Sequence, residues 1–104
     1  MSKAVDPVQF LHQMLRLKIM SLLVSLESAS FTFLLEKTEA TRGNLSVQIT
    51  KLKEAGYLSV EKSFHKNYPL TTCKITPKGI DAFEQYVETI SAFLHPSTKK
   101  NPPA

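Results

Sequence analysis

The sequence predicts a mainly α domain with a small β-hairpin (α+β), in the order helix, helix, helix, strand, tip, strand, helix. Three observations predict it. Asp6-Pro7 and Thr76-Pro77 each pair an N-cap acceptor with proline at the first helical position, so each opens a helix. Between them, two short helical segments lie about four residues apart. After Gly56 the apolar period drops from that of a helix to strict alternation.

The first helix is expected over residues 6–27, with a break near residues 13–15. Leu15, Ile19, Leu22 and Leu26 form one apolar stripe, and Phe10, Met14 and Leu17 form another. A helix apolar nearly all round is buried on both sides. "SASFTFLLEKTEA" then gives a short helix capped by Ser30 or Thr32, with Leu34 and Leu35 facing inward. Thr41 caps the next helix, which runs to Ala55 and stops at Gly56, a C′ residue. Its inner face is Leu45, Ile49 and Leu52. The two short helices make a helix-turn-helix.

Leu58, Val60, Lys62 and Phe64 alternate with Ser59, Glu61 and Ser63, the pattern of a half-buried strand. Thr71, Cys73 and Ile75 alternate with Thr72 and Lys74 in a second strand. The intervening "HKNYPL" reads as a six-residue tip carrying His65 and Lys66. A last helix spans 77–94, so residues 1–94 form one domain and 95–104 a flexible, proline-containing tail. A helix-turn-helix followed by a two-stranded hairpin is a winged helix.

A chain of 104 residues with 42% apolar and 21% charged residues builds one small core. The formal charge of +4 matters less than its distribution. Residues 37–78 hold eight Lys/Arg against three Asp/Glu, whereas 79–94 hold three acids and no Lys or Arg. A basic end opposite an acidic one suits a polyanion on one side. A single cysteine, Cys73, excludes an intrachain disulfide and favours a reducing compartment. "MSKAVDPVQF" lacks a signal-peptide core, and His12, Gln13, Arg16 and Lys18 interrupt the run from Phe10 to Leu26 too often for a membrane span. A soluble, cytoplasmic protein is expected, with no membrane partner.

The helix opening at Thr41 carries Gly43, Ser46, Val47, Thr50 and Glu54 opposite its apolar face, flanked by Asn44 and Lys51. Small and hydrogen-bonding groups there need an explanation, because long Glu and Lys side chains usually fill an exposed helix. The major groove of DNA admits an α-helix whose first turn reaches base edges. Close approach needs small residues, which Gly43 and Ser46 supply. Readout needs Arg for guanine, Asn or Gln for adenine and methyl groups for thymine, and Arg42, Asn44, Gln48, Val47 and Thr50 provide all three. Thr41 and the free N–H groups of the first turn suit a phosphate. A surface helix that is polar by chance is the alternative for the helix alone; the following hairpin shifts the balance to DNA.

Residues 30–90 resemble the winged-helix DNA-binding domain of small MarR/ArsR-like transcriptional regulators of archaea and bacteria. The specific part is Gly43-Asn44-Leu45-Ser46, then Leu52, Glu54-Ala55-Gly56-Tyr57, Thr71-Thr72 and Thr76-Pro77-Lys78-Gly79. Arg16-Leu17-Lys18-Ile19 fits as well, so the likeness covers roughly residues 10–93. The resemblance implies a homodimeric regulator of double-stranded DNA. Its recognition helix (41–55) would enter the major groove, and its wing (62–72) would touch the flanking groove or backbone. On that basis Lys51, Lys62, His65 and Lys66 join the DNA-contacting set. Two departures stand out: Glu39 where the family has glycine in the turn before the recognition helix, and His65-Lys66-Asn67 where the wing tip commonly carries arginine near glycine.

The first and last helices (about 6–27 and 77–94) are expected to dimerise. Ile80, Phe83, Val87, Ile90 and Leu94 follow a/d heptad spacing, Tyr86 and Phe93 widen the stripe, and Phe10, Met14 and Leu17 offer a second apolar face. No metal site is expected, since His12, His65 and His95 lack ligand partners at helical spacing and Cys73 shares a strand face with Thr71 and Ile75 as a buried thiol. No cofactor or catalysis is expected: the three glycines sit at helix junctions, and there is no phosphate loop or nucleophile beside a base. The competing reading is a winged-helix protein-interaction module without DNA binding. The basic strip Arg42, Lys51, Lys62 and Lys66, which such a module does not need, separates the two.

Overall fold

The computed structural model describes residues 5–95. Five helices and three strands follow one another as α1 (Pro7–Leu11), α2 (Met14–Leu26), β1 (Ser28–Ser30), α3 (Phe31–Thr38), α4 (Arg42–Glu54), β2 (Leu58–His65), β3 (Tyr68–Ile75) and α5 (Pro77–Leu94). The expected winged-helix order is present. Of the expected tail at 95–104, everything beyond His95 lies outside the described residues.

The first expected helix is two helices. His12 leaves helical geometry, and Gln13 is extended, its side-chain oxygen accepting from the Arg16 N–H at 2.7 Å. Gln13 therefore caps α2, and the chain turns between α1 and α2. Asp6 caps α1 from the other end through the Val8 N–H at 3.1 Å. The buried stripe of α2 is Leu15, Ile19, Met20 and Leu23; Leu22 is half-buried and Leu26 exposed, so the stripe lies one residue round from the expected one.

Two N-caps fit expectation in detail. Ser30, not Thr32, caps α3 by accepting from the Phe33 N–H at 3.0 Å, and Thr41 caps α4 by accepting from the Asn44 N–H at 3.1 Å. Each such cap contributes about 1 kcal/mol. Between them Glu39 ends α3 in the left-handed region, φ 60° and ψ 26°, its N–H closing on the Leu35 carbonyl at 3.1 Å. This is the turn position at which the sequence departs from the glycine of the resembled family, and the backbone keeps glycine-like geometry with a glutamate in place.

The sheet is antiparallel in the order β1-β3-β2. β1, unexpected from sequence, pairs Ala29 with Cys73 and covers the free edge of β3. Opposite Cys73 on the other side stands Val60, so the thiol sits on the central strand, buried. The expected six-residue tip is wrong. Strands of eight residues extend to His65 and Tyr68, which pair, and the turn is Lys66-Asn67 alone, at φ 53° and 68°. Positive φ at both central residues is the type I′ signature that matches hairpin twist. Leu58 and Val60 pack on the core, but the long ribbon then overhangs it, leaving Lys62 and Phe64 in solvent.

One junction fixes α4, the wing and α5 together. Gly56 takes φ 86° after α4, as a C′ residue does. The Thr76 hydroxyl donates to the Gly56 carbonyl at 2.7 Å and accepts from the Gly79 N–H at 3.0 Å, while the Thr76 N–H reaches the Tyr57 carbonyl at 3.1 Å. A side chain at Gly79 would drive its Cβ into that same Tyr57 carbonyl, so glycine there is a packing requirement. The buried core runs from Leu11 through Leu15, Ile19, Met20 and Leu23 to Leu34, Leu45, Leu52, Tyr57 and Ala82. No helix among the described residues is long and apolar enough to cross a membrane.

Candidate nucleic-acid interface

Burial of Leu45, Ile49 and Leu52 fixes which side of α4 faces out. Arg42, Gly43, Asn44, Ser46, Val47, Thr50 and Lys51 are all exposed, and Val47 shows 49% of its surface, an apolar residue held in solvent on a polar face. A Cβ placed on Gly43 meets nothing within 4 Å. Among the described residues nothing demands glycine at 43; what its lack of a side chain gives is open space above the first turn.

Gln48 requires a correction. Expected among the adenine readers, it is buried, and its Oε1 accepts from Arg16 Nε at 2.8 Å. The cause is helical phase: Gln48 sits beside Leu45, Ile49 and Leu52 at their edge, where only a partnered polar group is tolerated. Arg16 is held further by donating Nη1 to the Phe10 carbonyl at 2.9 Å and by stacking 4.3 Å from the Phe10 ring centroid.

A cleft of about 340 Å³ separates α4 from the root of the wing, lined by Arg42, Ser46, Ile49, Thr50 and Lys53 on one wall and Val60, Lys62 and Thr71 on the other. Phe31, from the first turn of α3, closes it, with the Arg42 guanidinium 5.6 Å from its ring centroid. Among the described residues three cations and no acid line this cleft. The fold thus brings Arg42, Ser46, Thr50 and Lys62 together. Lys51 is exposed elsewhere on α4, and His65 and Lys66 stand away at the wing tip. Phe31 and Lys53 were missed. Lys53 follows Arg42, Ser46 and Thr50 at helical spacing and was legible on that ground; Phe31, on another helix, carried no such signal.

The residues assigned to dimerisation divide into three groups. Met14, Ile80, Val87, Phe93 and Leu94 are exposed, and Phe10, Leu17, Phe83 and Ile90 are half-buried against the protomer's own core. Tyr86 is the second correction: it is buried, packed beneath α1, its hydroxyl 3.0 Å from His12 Nδ1. Heptad counting put it at the edge of the outer stripe, whereas with Gly79 and Ala82 it forms the inner one.

Burial pushes the Cys73 thiol up to about 11, and Tyr57 is raised as well, first by burial and then by the charge of Asp6. Among the described residues no group of three His, Cys, Asp or Glu side chains is placed to hold a metal.

A model of the winged helix DNA-binding domain matches residues 15–94. The chain belongs to that family. This winged-helix protein is 39% identical over 83 residues to an uncharacterized protein of Methanocaldococcus jannaschii, an alignment covering 80% of this chain and 90% of the relative. In structure it is similar to a transcriptional regulator homologue from Pyrococcus horikoshii OT3, with TM-score 0.78 and 26% identity over 83% of this chain and 85% of that one. A possible transcriptional regulator for arsenical resistance shares the fold at TM-score 0.66 and 18% identity, covering 85% of this chain and 86% of the other. The winged-helix protein therefore presents a DNA-binding fold in which the exposed side of α4 carries Arg42, Asn44, Ser46, Val47, Thr50 and Lys51.

Proposed function

We propose that this winged-helix protein is a homodimeric transcriptional regulator, with α4 as the reader in the major groove, the wing on the flanking groove or backbone, and no catalytic step. The observation that carries the reading is the cleft between α4 and the wing, where Arg42, Lys53 and Lys62 converge beside the exposed Ser46 and Thr50. Arg42 and Asn44 in the first turn suit base edges, Val47 and Thr50 offer methyl groups to thymine, and the open space above Gly43 suits close approach of a sugar-phosphate strand. Thr41, Ser46, Lys51, Lys62, His65 and Lys66 suit phosphate and sugar. The Pyrococcus protein's description as a transcriptional regulator homologue supports the assignment to regulation.

Dimerisation is supported by the row Ile80, Val87 and Leu94 on the outer side of α5, with Phe93 and Met14 near 70% exposed. So much apolar surface left open, most of it on α5, favours burial by a second copy. Two-fold symmetry then calls for a pseudo-palindromic site with half-sites roughly 10 base pairs, or a multiple, apart.

The test is binding of fluorescently labelled genomic duplexes across a salt series. Neutralising phosphates gives a slope near −0.9 per contact in log K against log[salt], so a dimer making about six to ten contacts loses several decades between low and moderate salt. Absence of binding to any genomic fragment at low salt rejects the reading in favour of a protein-interaction module.

A further inference from the structure

The wing tip carries an aromatic side chain that the protomer does not use. Phe64 is 76% exposed, although its strand alternation with Leu58 and Val60 puts it on the face that turns toward the core. Cross-strand partners share a face of the ribbon, so the inner face reads outward as Leu58 with Ile75, Val60 with Cys73, Lys62 with Thr71 and Phe64 with Pro69. Lys62 and Thr71 line the cleft against α4. Phe64 and Pro69 continue that face by two residues, about 7 Å beyond it.

Two lysines flank Phe64 along the ribbon: Lys62 precedes it on the inner face and Lys66 stands in the turn, while the opposite face carries Glu61 with Thr72 and Lys74 with Ser59. The tip is also short: a two-residue turn with both φ values positive leaves little freedom between the strands. The tip therefore presents a large apolar side chain, flanked by two lysines, on a hairpin that reaches beyond the core.

We infer that Phe64, paired across the strands with Pro69, is an apolar wedge that enters the minor groove beside the half-site, an inference that rests on the DNA-binding reading above. Phenylalanine and proline are side chains that proteins insert between base steps, partly unstacking them and kinking the duplex. The lysines on either side meet the two phosphate strands that border the groove, and α4 occupies the adjoining major groove. The wedge gives sequence preference through the cost of deforming each step: flexible pyrimidine–purine steps are favoured under the wing without hydrogen bonds to their bases.

The experiment uses the full chain and a duplex selected by the wild-type protein from a randomised library. Wild type, Phe64→Ser and Phe64→Leu are compared for affinity across a salt series, for bend angle by circular permutation, and for preferred bases flanking the half-site. Phe64→Ser is expected to bind about tenfold more weakly, to bend the duplex less, to lose the flanking-step preference and to keep the wild-type salt slope. Phe64→Leu, still an apolar wedge, retains most of the affinity and the bend. Wild-type affinity and bend in Phe64→Ser overturn the inference, as does a loss accompanied by a flattened salt slope, which places the effect on the lysines. Loss of self-association in Phe64→Ser with DNA binding unchanged also overturns it and assigns the ring to a protein contact. A wild type that binds no duplex rejects the regulator reading and the wedge together, an outcome distinct from a failing Phe64 on a working binder.

Discussion

Arg16 and Gln48, on different helices, are joined by a 2.8 Å hydrogen bond from Arg16 Nε to Gln48 Oε1, and this pair ties the α1–α2 junction to the middle of α4. Arg16 also grips the Phe10 carbonyl and ring, so one side chain connects three parts of the chain. Gln48 is thereby committed to the interior. Gln48→Ala is expected to cost about 1–3 kcal/mol, because it leaves a half-buried guanidinium short of a partner. Base preference in a library selection stays unchanged, since the amide is not free to read. A double-mutant cycle with Arg16→Ala in urea unfolding should give a coupling of about 0.5–3 kcal/mol; additive effects would deny the pair any shared energy.

Glu39 offers a separation of strain from charge. It holds φ 60°, a region that penalises a residue with a Cβ by about 1–2 kcal/mol. Glu39→Gly relieves that strain, partly offset by the greater freedom of glycine in the unfolded chain, so Tm rises slightly. Glu39→Gln leaves the backbone strain in place and removes only the charge. Both variants are expected to tighten DNA binding slightly if the turn lies near phosphate. Calorimetry and binding titration on the two variants check the two effects independently.

Arg42 and Asn44 are expected to contribute differently from Lys66. Replacing either of the first two by alanine should cost about 1–3 kcal/mol of binding and relax preference at particular base pairs. Arg42→Ala additionally loses the stacking on Phe31. Lys66→Ala should weaken all sequences alike and lower the salt slope by about one per monomer. Selection from a randomised library, read by sequencing, distinguishes them. If Arg42→Ala and Asn44→Ala keep the wild-type preference, reading belongs to the wing.

For self-association the exposed side chains are the informative targets. Phe83 and Ile90 pack on the protomer's own core, so charging them risks unfolding. Val87 and Leu94 are exposed on α5. The Val87→Glu, Leu94→Glu double variant should sediment as a monomer with Tm close to that of an isolated protomer, and the wild type as a dimer at micromolar concentration. A wild-type monomer there refutes the dimer.

Cys73 governs behaviour at high pH. Its thiol, ordinarily near 9.0, is raised to about 11 by burial. Between those values the unfolded chain releases the proton while the folded one keeps it, so stability present below pH 9 declines as pH climbs toward 11. Tyr57, raised by burial, acts in the same sense. Denaturant melts from pH 8 to 11 should show the decline, and it should be shallower in Cys73→Ala after allowance for lost packing. Thiol-labelling of the native protein is expected to be slow and limited by unfolding.

Local chemistry wrote much of this fold into the sequence. Asp6-Pro7, Thr41, Gly56 and Thr76-Pro77 each act within one turn of the chain, so their caps and stops were legible from neighbouring residues alone. The outward side chains of α4 were legible for the same reason, since Leu45, Ile49 and Leu52 fix the phase of the helix. Where readings failed, a distant partner decided. β1 is three small residues with no period of its own, and it is a strand because β3 offers an open edge to Ala29. Gln48 looks like a reader until Arg16, thirty-two positions earlier, takes its amide. Tyr86 counts as interface until α1 folds over it and His12 meets its hydroxyl. Phe64 alternates as a buried residue should, yet the hairpin outruns the core and leaves it in water. The sequence by itself determined the helices, their caps, the hairpin and the polar face of α4, because those depend on spacing within a few residues. Only the tertiary structure decided which polar groups are spent internally and which apolar ones remain exposed, because burial depends on what other segments bring to each side chain.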